Sequence, residues 1–327
     1  MRILVTGGAG FIGSHLTEEL LKHGHTVTVL DDLRNGSKEN LKDLFSNKRF
    51  KFIEGDILKP KTCHRAAGEA QTIYHLACLG VRHSLHSPLE NHRVNAEGTL
   101  NMLEVVRQKK SRFFYVSSSE IYGAADEFPI REETLPNPTT VYGAGKLAGE
   151  HYTNAYHRSF GSKTTILRLF NNYGPRAHYE GDAGEMIPRA IVNILYGKSP
   201  VLFGDGKNTR DFFYVKDTVR AFTQLLKVDR LEGETLNIGA GLEISMKDLL
   251  GEIFSLMGET KLKPKHLKAR PGDLPRLWVD KKKFERLTGF KPAYSLREGL
   301  IQTIDYYRNL MRSKNLLSKI KTVNWEI

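Results

Sequence analysis

The stretch Met1-Arg2-Ile3-Leu4-Val5-Thr6-Gly7-Gly8-Ala9-Gly10-Phe11-Ile12-Gly13 decides the fold of this chain. An apolar strand runs into three glycines spaced three residues apart, and a run with helical periodicity follows. Gly7 lets the chain turn sharply, Gly10 lets the backbone approach a pyrophosphate, and Gly13 lets the helix pack against the strand. The stretch therefore predicts a dinucleotide-binding turn, with the pyrophosphate on the N-terminus of the helix.

The end of the second predicted strand indicates which dinucleotide binds. The run Thr26-Val27-Thr28-Val29-Leu30 ends in Asp31 and Asp32, about 20 residues after the glycines, where a carboxylate can hydrogen-bond the adenosine ribose. Such a carboxylate favours NAD, because it would repel the 2′-phosphate of NADP. Arg34 lies close enough to keep NADP as the lesser alternative, and an ordinary polar strand end is the non-functional interpretation.

Length and composition predict a soluble globular protein. The chain has 327 residues, 40% of them hydrophobic, and it contains no repeat or low-complexity segment. Its two cysteines, Cys63 and Cys78, give no disulfide framework and no metal-ligand pair, which fits a reducing compartment. Because the first residues already read as a core strand and no apolar run is long enough to span a bilayer, we expect no signal peptide, no membrane partner and a cytoplasmic location.

The net charge of +12 raises the question of nucleic-acid binding. The positive residues are dispersed, with local concentrations at 261–270, 281–283 and 312–321, and no aromatic residues interleave with them as a stacking platform would require. A solvated basic surface that also attracts an anionic small substrate explains the charge more simply. We therefore expect no nucleic-acid partner.

Strand-like and helix-like segments alternate through the first half of the chain. Strands are predicted at 3–6, 26–30, 50–54, 72–76, 113–117 and 164–169, and the long helices at 94–110 and 142–160. The alternation predicts an α/β fold with a Rossmann-type doubly wound parallel sheet.

The predicted elements become shorter and less regular after Asn171. Prolines and glycine turns break up shorter elements there, which predicts a smaller, irregular α/β C-terminal lobe that binds substrate. We expect an NAD-binding domain at 1–170 and a substrate-binding lobe at 171–327. The boundary is soft, because segments 215–228 and 235–238 are candidates to return to the first domain. The crevice above the carboxyl ends of the strands is the expected ligand site.

Tyr142-Gly143-Ala144-Gly145-Lys146 is the second informative pattern. Residues four apart lie on one face of a helix, so the Lys146 ammonium can lie near the Tyr142 phenol. Together with a positively charged nicotinamide ring, it would bring the pKa of Tyr142 from about 10 towards neutrality and make the residue a base. Ser118, at the end of a strand that opens into the same crevice, can hydrogen-bond the same substrate oxygen; a polar strand-to-loop turn is the alternative.

With these residues in place, the chain resembles the extended short-chain dehydrogenase/reductase family, specifically its NAD-dependent nucleotide-sugar epimerases and dehydratases. The resemblance covers nearly the whole chain. It is carried by 6–13, Gly55-Asp56-Ile57, His75-Leu76-Ala77, Asn95-x-x-Gly98-Thr99, Ser118 with Tyr142 and Lys146, Arg168-Leu169-Phe170-Asn171-Asn172-Tyr173-Gly174-Pro175, Arg210-Asp211-Phe212-x-Tyr214-Val215-x-Asp217 and Arg270-Pro271-Gly272-Asp273.

The resemblance implies which residues hold the two ligands. NAD would be bound by Gly7, Gly10, Phe11, Ile12, Gly13, Asp31, Asp32, Asp56, Ile57, Leu76, Ala77 and Lys146. A nucleotide-diphosphate sugar would be bound by Ser118, Asn171, Arg210 and Arg270. The two arginines make physical sense as bidentate phosphate ligands, and a surface ion pair is the alternative for each of them.

The resemblance also implies the chemistry. Tyr142 would remove the proton of the sugar 4-hydroxyl while NAD accepts the hydride, which gives a 4-keto sugar. Glu120, in Ser118-Ser119-Glu120-Ile121-Tyr122-Gly123, stands where dehydratases and decarboxylases carry a glutamate that acts at the adjacent carbon. The catalytic residues would then be Ser118, Glu120, Tyr142 and Lys146, and a 4,6-dehydratase is the leading interpretation.

Two other reactions stay open. Ser119 stands where dTDP-glucose dehydratases have an aspartic acid, and segments 80–88 and 270–280 look more like a UDP-hexose 4-epimerase, in which Glu120 would be a solvated or helix-capping carboxylate. A UDP-glucuronate decarboxylase shares the glutamate but needs a cationic pocket, for which Arg82, Arg176 and His178 are uncertain candidates.

The remaining expectations concern metals, oligomers and non-enzymes. His83, His86 and His92 have irregular spacing and no matching ligands, so we expect no metal site, and a loop over the substrate at 83–88. By resemblance, the two long helices should form a homodimer. A regulatory protein that binds NAD without catalysis is the non-enzyme alternative, which the intact Ser118, Tyr142 and Lys146 disfavour.

Overall fold

A parallel sheet forms the centre of the molecule. The computed structural model describes residues 1–269 and 273–323, and within them seven strands join in the order β11-β6-β5-β4-β1-β2-β3, all parallel. This confirms the predicted doubly wound α/β fold. The strands of this sheet are β1 Arg2–Thr6, β2 Thr26–Asp31, β3 Phe50–Glu54, β4 Thr72–His75, β5 Arg112–Ser118, β6 Thr164–Leu169 and β11 Thr235–Ile238.

Short strands and helices complete the description. The short strands are β7 Asn171–Tyr173, β8 Val201–Phe203, β9 Thr209–Arg210, β10 Phe212–Tyr214, β12 Ile244–Ser245, β13 Lys265–Leu267 and β14 Arg276–Leu277. The helices are α1 Phe11–Lys22, α2 Pro60–Ala67, α3 Val81–His86, α4 Pro88–His92, α5 Gly98–Lys109, α6 Val141–Phe160, α7 Met186–Leu195, α8 Val215–Leu225, α9 Met246–Met257, α10 Lys282–Thr288 and α11 Leu296–Met311. Short 3₁₀ turns lie at Lys38–Leu44, Ser119–Ile121 and Leu317–Lys319, and a π-helical turn lies at Arg93–Glu97.

Both faces of the sheet are covered at its centre, which is why the central strands are mostly apolar. Alternate residues of β1 point to opposite faces: Ile3 and Val5 pack with α1 and α8, whereas Leu4 packs with α2 and α5. None of these three side chains is more than 2% exposed. Covered faces on both sides are the usual condition of a parallel sheet.

The second lobe has its own apolar cluster, which includes Tyr173, Ile191, Leu250, Leu300 and Tyr307. Two segments from this half of the chain return to the first, at the places that the sequence suggested. The strand β11 pairs in parallel with β6, and α8 packs against α1.

The helix α1 also joins the two lobes. The Nε2 atom of His15 lies 2.9 Å from the carbonyl oxygen of Pro175, in a part-buried hydrogen bond. The Arg176 guanidinium hydrogen-bonds Ser14 Oγ at 3.2 Å and pairs with the Glu18 carboxylate. One helix therefore contributes its N-terminus to the glycine turn and its side to the second lobe.

Two local predictions differ from the structure. The prediction of a loop at 83–88 was wrong, because this segment lies largely in α3 and α4. Pro88 begins α4 at a position where its missing N–H costs no helical hydrogen bond. The helix expected over 94–110 begins with the π-helical turn and continues as α5.

No helix among the described residues is long and apolar enough to cross a membrane.

Candidate active site

A cavity of about 790 Å³ opens at the carboxyl ends of the central strands. Its walls come from the glycine turn, from the ends of β4 and β5, from the start of α6 and from the second lobe. The volume lies in the upper part of the range usual for ligand sites. The crevice predicted from the strand order is therefore present, and nearly all of the predicted site residues that the structure describes line it.

The glycine turn has the geometry that a dinucleotide requires. Gly7 has φ of +70°, a conformation that other residues rarely adopt. A Cβ atom on Gly13 would lie 2.1 Å from the carbonyl oxygen of Gly7, so the helix can approach only because that atom is missing. Gly10 caps α1 without a side-chain hydrogen bond, and Phe11 and Ile12 line the cavity beside it. The first amides of α1 thus face a space where a pyrophosphate would fit.

Asp31 is buried beneath the ribose end of the cleft. Its two carboxylate oxygens accept hydrogen bonds from the backbone of Ala9, at 2.9 Å, and of Leu33, at 2.8 Å. Burial raises the pKa of this carboxyl above its usual value, although both hydrogen bonds oppose the shift. A Cβ atom on Gly36 would lie 2.7 Å from Asp31 Oδ1, so the loop after β2 is held tightly around the carboxylate.

Arg34, the residue that kept NADP as an alternative, is surrounded by acids. Its guanidinium lies 2.8 Å from Asp32 Oδ2, 3.5 Å from Asp56 Oδ2 and 2.8 Å from Glu90 Oε1. A 2′-phosphate would have to displace these carboxylates and would also meet their negative charge. This environment favours a free ribose 2′-hydroxyl, as NAD has.

The remaining predicted cofactor residues lie around the same cleft. Ile57 and Leu76 line it directly, and the Asp56 carboxylate turns towards the backbone N–H of Leu58, at 2.8 Å. The backbone of Ala77 is so close to Gly7 that a Cβ atom on Gly7 would lie 2.7 Å from the Ala77 nitrogen.

Tyr142 lies in the first turn of α6, next to the end of β5. Thr140 caps this helix by accepting a hydrogen bond from Gly143 N, at 3.0 Å. A Cβ atom on Gly143 would lie 2.7 Å from the carbonyl oxygen of Glu120, so the helix start is pressed onto the turn that carries Glu120. The Ser118 hydroxyl lies beside the Tyr142 phenol and lowers its pKa. The predicted serine, tyrosine and glutamate are therefore neighbours.

Lys146 is buried one turn along α6 from Tyr142. Its Nζ donates a hydrogen bond of 2.9 Å to the carbonyl oxygen of Val116 and lies 5.3 Å from the centre of the Tyr115 ring. Burial raises the pKa of Tyr142 well above its usual value, and the nearby Cys78 adds to the rise, while the Ser118 hydrogen bond opposes it. The protein's own groups thus move this pKa away from neutrality, opposite to the sequence-based expectation, which also counted the charge of the nicotinamide ring.

Glu120 follows Ser118 in the turn that ends β5. Its backbone N–H donates a 3.3 Å hydrogen bond to Ser118 Oγ, so one hydroxyl contacts both the glutamate backbone and the tyrosine phenol. Burial raises the pKa of Glu120. Arg210 opposes this rise, whereas Asp273 adds to it. The raised pKa keeps the carboxyl protonated to higher pH than an exposed glutamate, as a general acid requires.

The predicted diphosphate ligands lie in the second-lobe wall. Asn171 Oδ1 is buried without a hydrogen-bond partner among the described residues, so the amide is available to a ligand. Arg210 donates to the carbonyl oxygen of Leu274 at 2.8 Å and to Asp273 Oδ1 at 2.7 Å. Arg270 lies outside the described residues.

A protein-family model described as GDP-mannose 4,6 dehydratase matches residues 4–303. The chain belongs to the family of NAD-dependent nucleotide-sugar epimerases and dehydratases. This family lies within the extended short-chain dehydrogenases/reductases, so the predicted family is confirmed.

Relatives with three different activities are similar to this enzyme. It is 36% identical to a UDP-glucose 4-epimerase from Mycolicibacterium smegmatis, over 94% of this chain and 99% of that protein. It is 34% identical to UDP-glucuronic acid decarboxylase 1 from Arabidopsis thaliana, over 94% of this chain and 70% of that protein. The solved structure of DesIV, a dTDP-glucose 4,6-dehydratase from Streptomyces venezuelae with NAD bound, is 33% identical with a TM-score of 0.89, and covers 94% of this chain and 97% of that one.

The cofactor of this nucleotide-sugar enzyme is NAD, as predicted. The residues present fit it: the glycine turn has the required conformation, and a buried carboxylate lies at the ribose end. Ser117 Oγ, buried in the cavity wall, has no hydrogen-bond partner within 1–269 and 273–323. No group of three or more potential metal ligands occurs in those same ranges.

The sequence missed two acidic residues of the enzyme's site. Glu185 is the N-cap residue of α7, pairs with Arg82 at 3.1 Å, and raises the pKa values of both Glu120 and Tyr142. Asp273 was noted only as part of a motif, not as the partner of Arg210. No local pattern marks Glu185, because its contacts come from a residue more than a hundred positions away.

Proposed function

We propose that the enzyme is a nucleotide-diphosphate-sugar 4,6-dehydratase in which Tyr142 and Glu120 are the acid/base residues. The observation that carries this proposal is the position of Glu120. Its carboxyl lies in the same cavity as Tyr142, with a raised pKa, and Ser118 contacts both residues. A 4-epimerase returns the hydride to the other face of the same carbon and needs no second acid/base group.

Each residue has a chemical task in this proposal. Bound NAD supplies the hydride acceptor and, later, the hydride donor. Tyr142 takes the proton of the sugar 4-hydroxyl, and Ser118 hydrogen-bonds the same oxygen and stabilises the developing phenolate. Glu120 takes the proton from carbon 5 and protonates the leaving hydroxyl on carbon 6, so that one water is lost. Glu120 then takes up a proton from the solvent and delivers it to carbon 5, and the hydride held by the reduced cofactor would pass to carbon 6.

The contacts in the second-lobe wall support a diphosphate site. Arg210 is held in the wall by two hydrogen bonds to backbone carbonyls and one to Asp273, so its planar donor set is positioned before substrate binds. Asn171 adds an amide with an unpartnered oxygen. We assign these two residues to the substrate diphosphate.

The cations of the site support a neutral sugar rather than a uronate. Arg82 pairs with Glu185, Arg176 pairs with Glu18, and His178 hydrogen-bonds Glu180 at 3.2 Å. All three residues that were candidates for a uronate carboxylate pocket therefore already have acidic partners, so a decarboxylase has the weaker support.

The 4-epimerase is the second candidate, and Ser119 favours it. This residue is buried at 3% exposure, and it stands where the dTDP-glucose dehydratases carry an additional acid. Glu120 would then have to perform both proton transfers at carbons 5 and 6 by itself.

Product analysis in heavy water tests the proposal. The purified enzyme would be incubated with UDP-glucose, UDP-N-acetylglucosamine, GDP-mannose, dTDP-glucose and UDP-glucuronate, and each product analysed by mass spectrometry. We expect one neutral hexose to lose water and to gain one deuterium at carbon 5. An isomer of unchanged mass without deuterium would establish the epimerase, and loss of carbon dioxide would establish the decarboxylase.

The variant Glu120→Gln links the product to the residue. With the dehydratase substrate it should oxidise carbon 4 but stop before water is lost, so that reduced cofactor and a 4-keto sugar of intact mass accumulate. The exposed Glu133 offers a matched control, and Glu133→Gln should behave as the unmodified enzyme does. Normal turnover of Glu120→Gln would contradict the assigned role.

The compartment is also a proposal. Cys63 and Cys78 are both free thiols, which is the state favoured in a reducing compartment. We propose a cytoplasmic location, which fractionation of the source cells would test.

A further inference from the structure

A chain of charged side chains connects two walls of the dinucleotide cleft. On one side, the Arg34 guanidinium contacts Asp32 and Asp56. On its other side, Arg34 Nη1 lies 2.8 Å from Glu90 Oε1, and the second oxygen of Glu90 lies 3.2 Å from His83 Nε2. One carboxylate, that of Glu90, therefore joins Arg34 to His83.

The strand order gives the path of this connection. Arg34 follows β2, whereas His83 and Glu90 lie on α3 and α4, which follow β4. In the sheet, β1 lies between β2 and β4. A link between the residues that follow these two outer strands must pass above the carboxyl end of β1, where the glycine turn begins.

Both ends of the connection belong to the cavity wall. Arg34 and His83 line the same cavity as Gly7, Gly10 and Gly13. His83 Nδ1 is buried and has no hydrogen-bond partner in the described part of the chain, so Glu90 is the acidic partner that holds the His83 ring.

We propose that Arg34, Glu90 and His83 form a clasp over the cleft that slows the release of NAD. Glu90 is the positioning residue, because it holds Arg34 and His83 together and acts on the cofactor only through them. The three side chains of the clasp have to separate each time NAD leaves, and they stay in contact while NAD remains bound. Retention of NAD thus depends on side chains outside the glycine turn.

The exposure of the clasp makes it sensitive to salt. The Glu90 side chain is 49% exposed and that of Arg34 is 32% exposed, so dissolved ions reach both partners. Ion pairs of this kind are weak individually and are screened further as ionic strength rises. We therefore expect a change of roughly three- to ten-fold in the release rate rather than loss of binding.

The test measures NAD exchange on the complete holoenzyme. Enzyme loaded with isotopically labelled NAD would be mixed with a large excess of unlabelled NAD, and the label that remains bound would be followed over time at low and at high salt. In the unmodified protein, exchange should be slow at low salt and faster at high salt. In Glu90→Gln it should be fast at both salt concentrations.

The control is Glu54→Gln. Glu54 is a similarly exposed glutamate that pairs with Lys38 at 2.8 Å, and neither residue lines the cavity. This variant should keep both the slow exchange and its response to salt. If Glu90→Gln exchanged NAD as slowly as the unmodified protein, or kept the salt response, the clasp would be refuted.

A double variant guards against a purely structural effect. Arg34→Gln should accelerate exchange as Glu90→Gln does, and the combination should be no faster than either alone, because both substitutions open the same contact. Accelerations that multiply would show that the residues act separately and would overturn the proposal. The readout needs no substrate, so it is independent of the reaction that the enzyme catalyses.

Discussion

Arg210 Nη2 lies 2.7 Å from Asp273 Oδ1, and the two charges of this pair move the pKa of Glu120 in opposite directions. Arg210 lowers that pKa and Asp273 raises it. The pair therefore adjusts a pKa that burial raises, and it also holds the arginine that we assign to the substrate diphosphate.

The first prediction follows from this pair. In Asp273→Asn, one negative charge near Glu120 is lost, so the pKa of Glu120 should fall. The limb of the pH-rate profile that belongs to Glu120 should then move to lower pH, which steady-state rates across a pH series would measure. An unmoved limb in Asp273→Asn would mean that it reports another group.

Tyr142→Phe should reduce kcat by about a thousand-fold or more while leaving NAD content and substrate binding nearly unchanged, because only the proton transfer is removed. Ser118→Ala should keep partial activity. Since the Ser118 hydrogen bond lowers the pKa of Tyr142, its loss should move the corresponding limb of the pH profile to higher pH. Activity of Tyr142→Phe within a few-fold of the unmodified enzyme would refute its role as the base.

His15 should make the fold sensitive to acid. Burial and the nearby Arg176 lower its pKa from 6.5 to about 4. The unfolded chain takes up a proton as the pH falls through about 6.5 but the folded protein does not, so stability is full above that pH and declines towards pH 4. His15→Gln can keep the hydrogen bond to Pro175. Between about pH 7.5 and pH 5, the free energy of unfolding should fall by about 2 kcal/mol less in this variant than in the unmodified protein. Urea denaturation at the two pH values measures the difference.

The basic C-terminal segment should affect substrate affinity. Lys321 Nζ lies 2.8 Å from Asp182 Oδ1, and Gly181 N donates a 2.8 Å hydrogen bond to the carbonyl oxygen of Lys319. Asp182 lines the cavity, so these contacts hold part of its wall in place. Lys321→Glu should raise KM for the nucleotide sugar by roughly two- to five-fold, with little change in kcat.

A charge exchange provides the control for this prediction. The double variant Asp182→Lys with Lys321→Asp restores an ion pair of opposite polarity and should recover much of the lost affinity. Lys319→Glu makes the same charge change two residues away, at an exposed side chain, and should leave KM near its original value. Equal effects of Lys319→Glu and Lys321→Glu would show that only net charge matters.

The enzyme should be a homodimer through α5 and α6. The outer surface of α6 presents Ala155 and His151 one turn apart, both exposed. Sedimentation should give twice the chain mass of 37.1 kDa, and Ala155→Glu should shift the protein towards the monomer. Leu242→Glu alters an exposed apolar residue of the second lobe and should leave the mass unchanged. A monomer for the unmodified protein would contradict this prediction.

The central sheet could be predicted from the sequence because its signals are local and repeated. Strands such as Val27–Leu30 are apolar on both faces, and the glycine spacing of 7–13 has few structural alternatives. The sequence also placed Ser118, Glu120 and Tyr142 in one crevice, since the carboxyl ends of parallel strands meet at one edge of a sheet.

The charged contacts of the site could not be predicted, because their partners are distant in sequence. Arg82 meets Glu185, and Arg210 meets Asp273, through folding of the second lobe onto the first. The direction of the Lys146 side chain also could not be predicted from the sequence. Helical spacing brings it near Tyr142, but the carbonyl oxygen of Val116 in β5 binds its ammonium group.

The contacts of His15 and Arg176 across the two lobes limit the movements by which substrate can reach the active site. The helix α1, which begins at the glycine turn, is tied along its side to the second lobe, so the two lobes cannot separate by a hinge motion without breaking part-buried hydrogen bonds. We therefore expect the substrate to enter and leave through local movements of surface segments, with the two lobes fixed relative to each other.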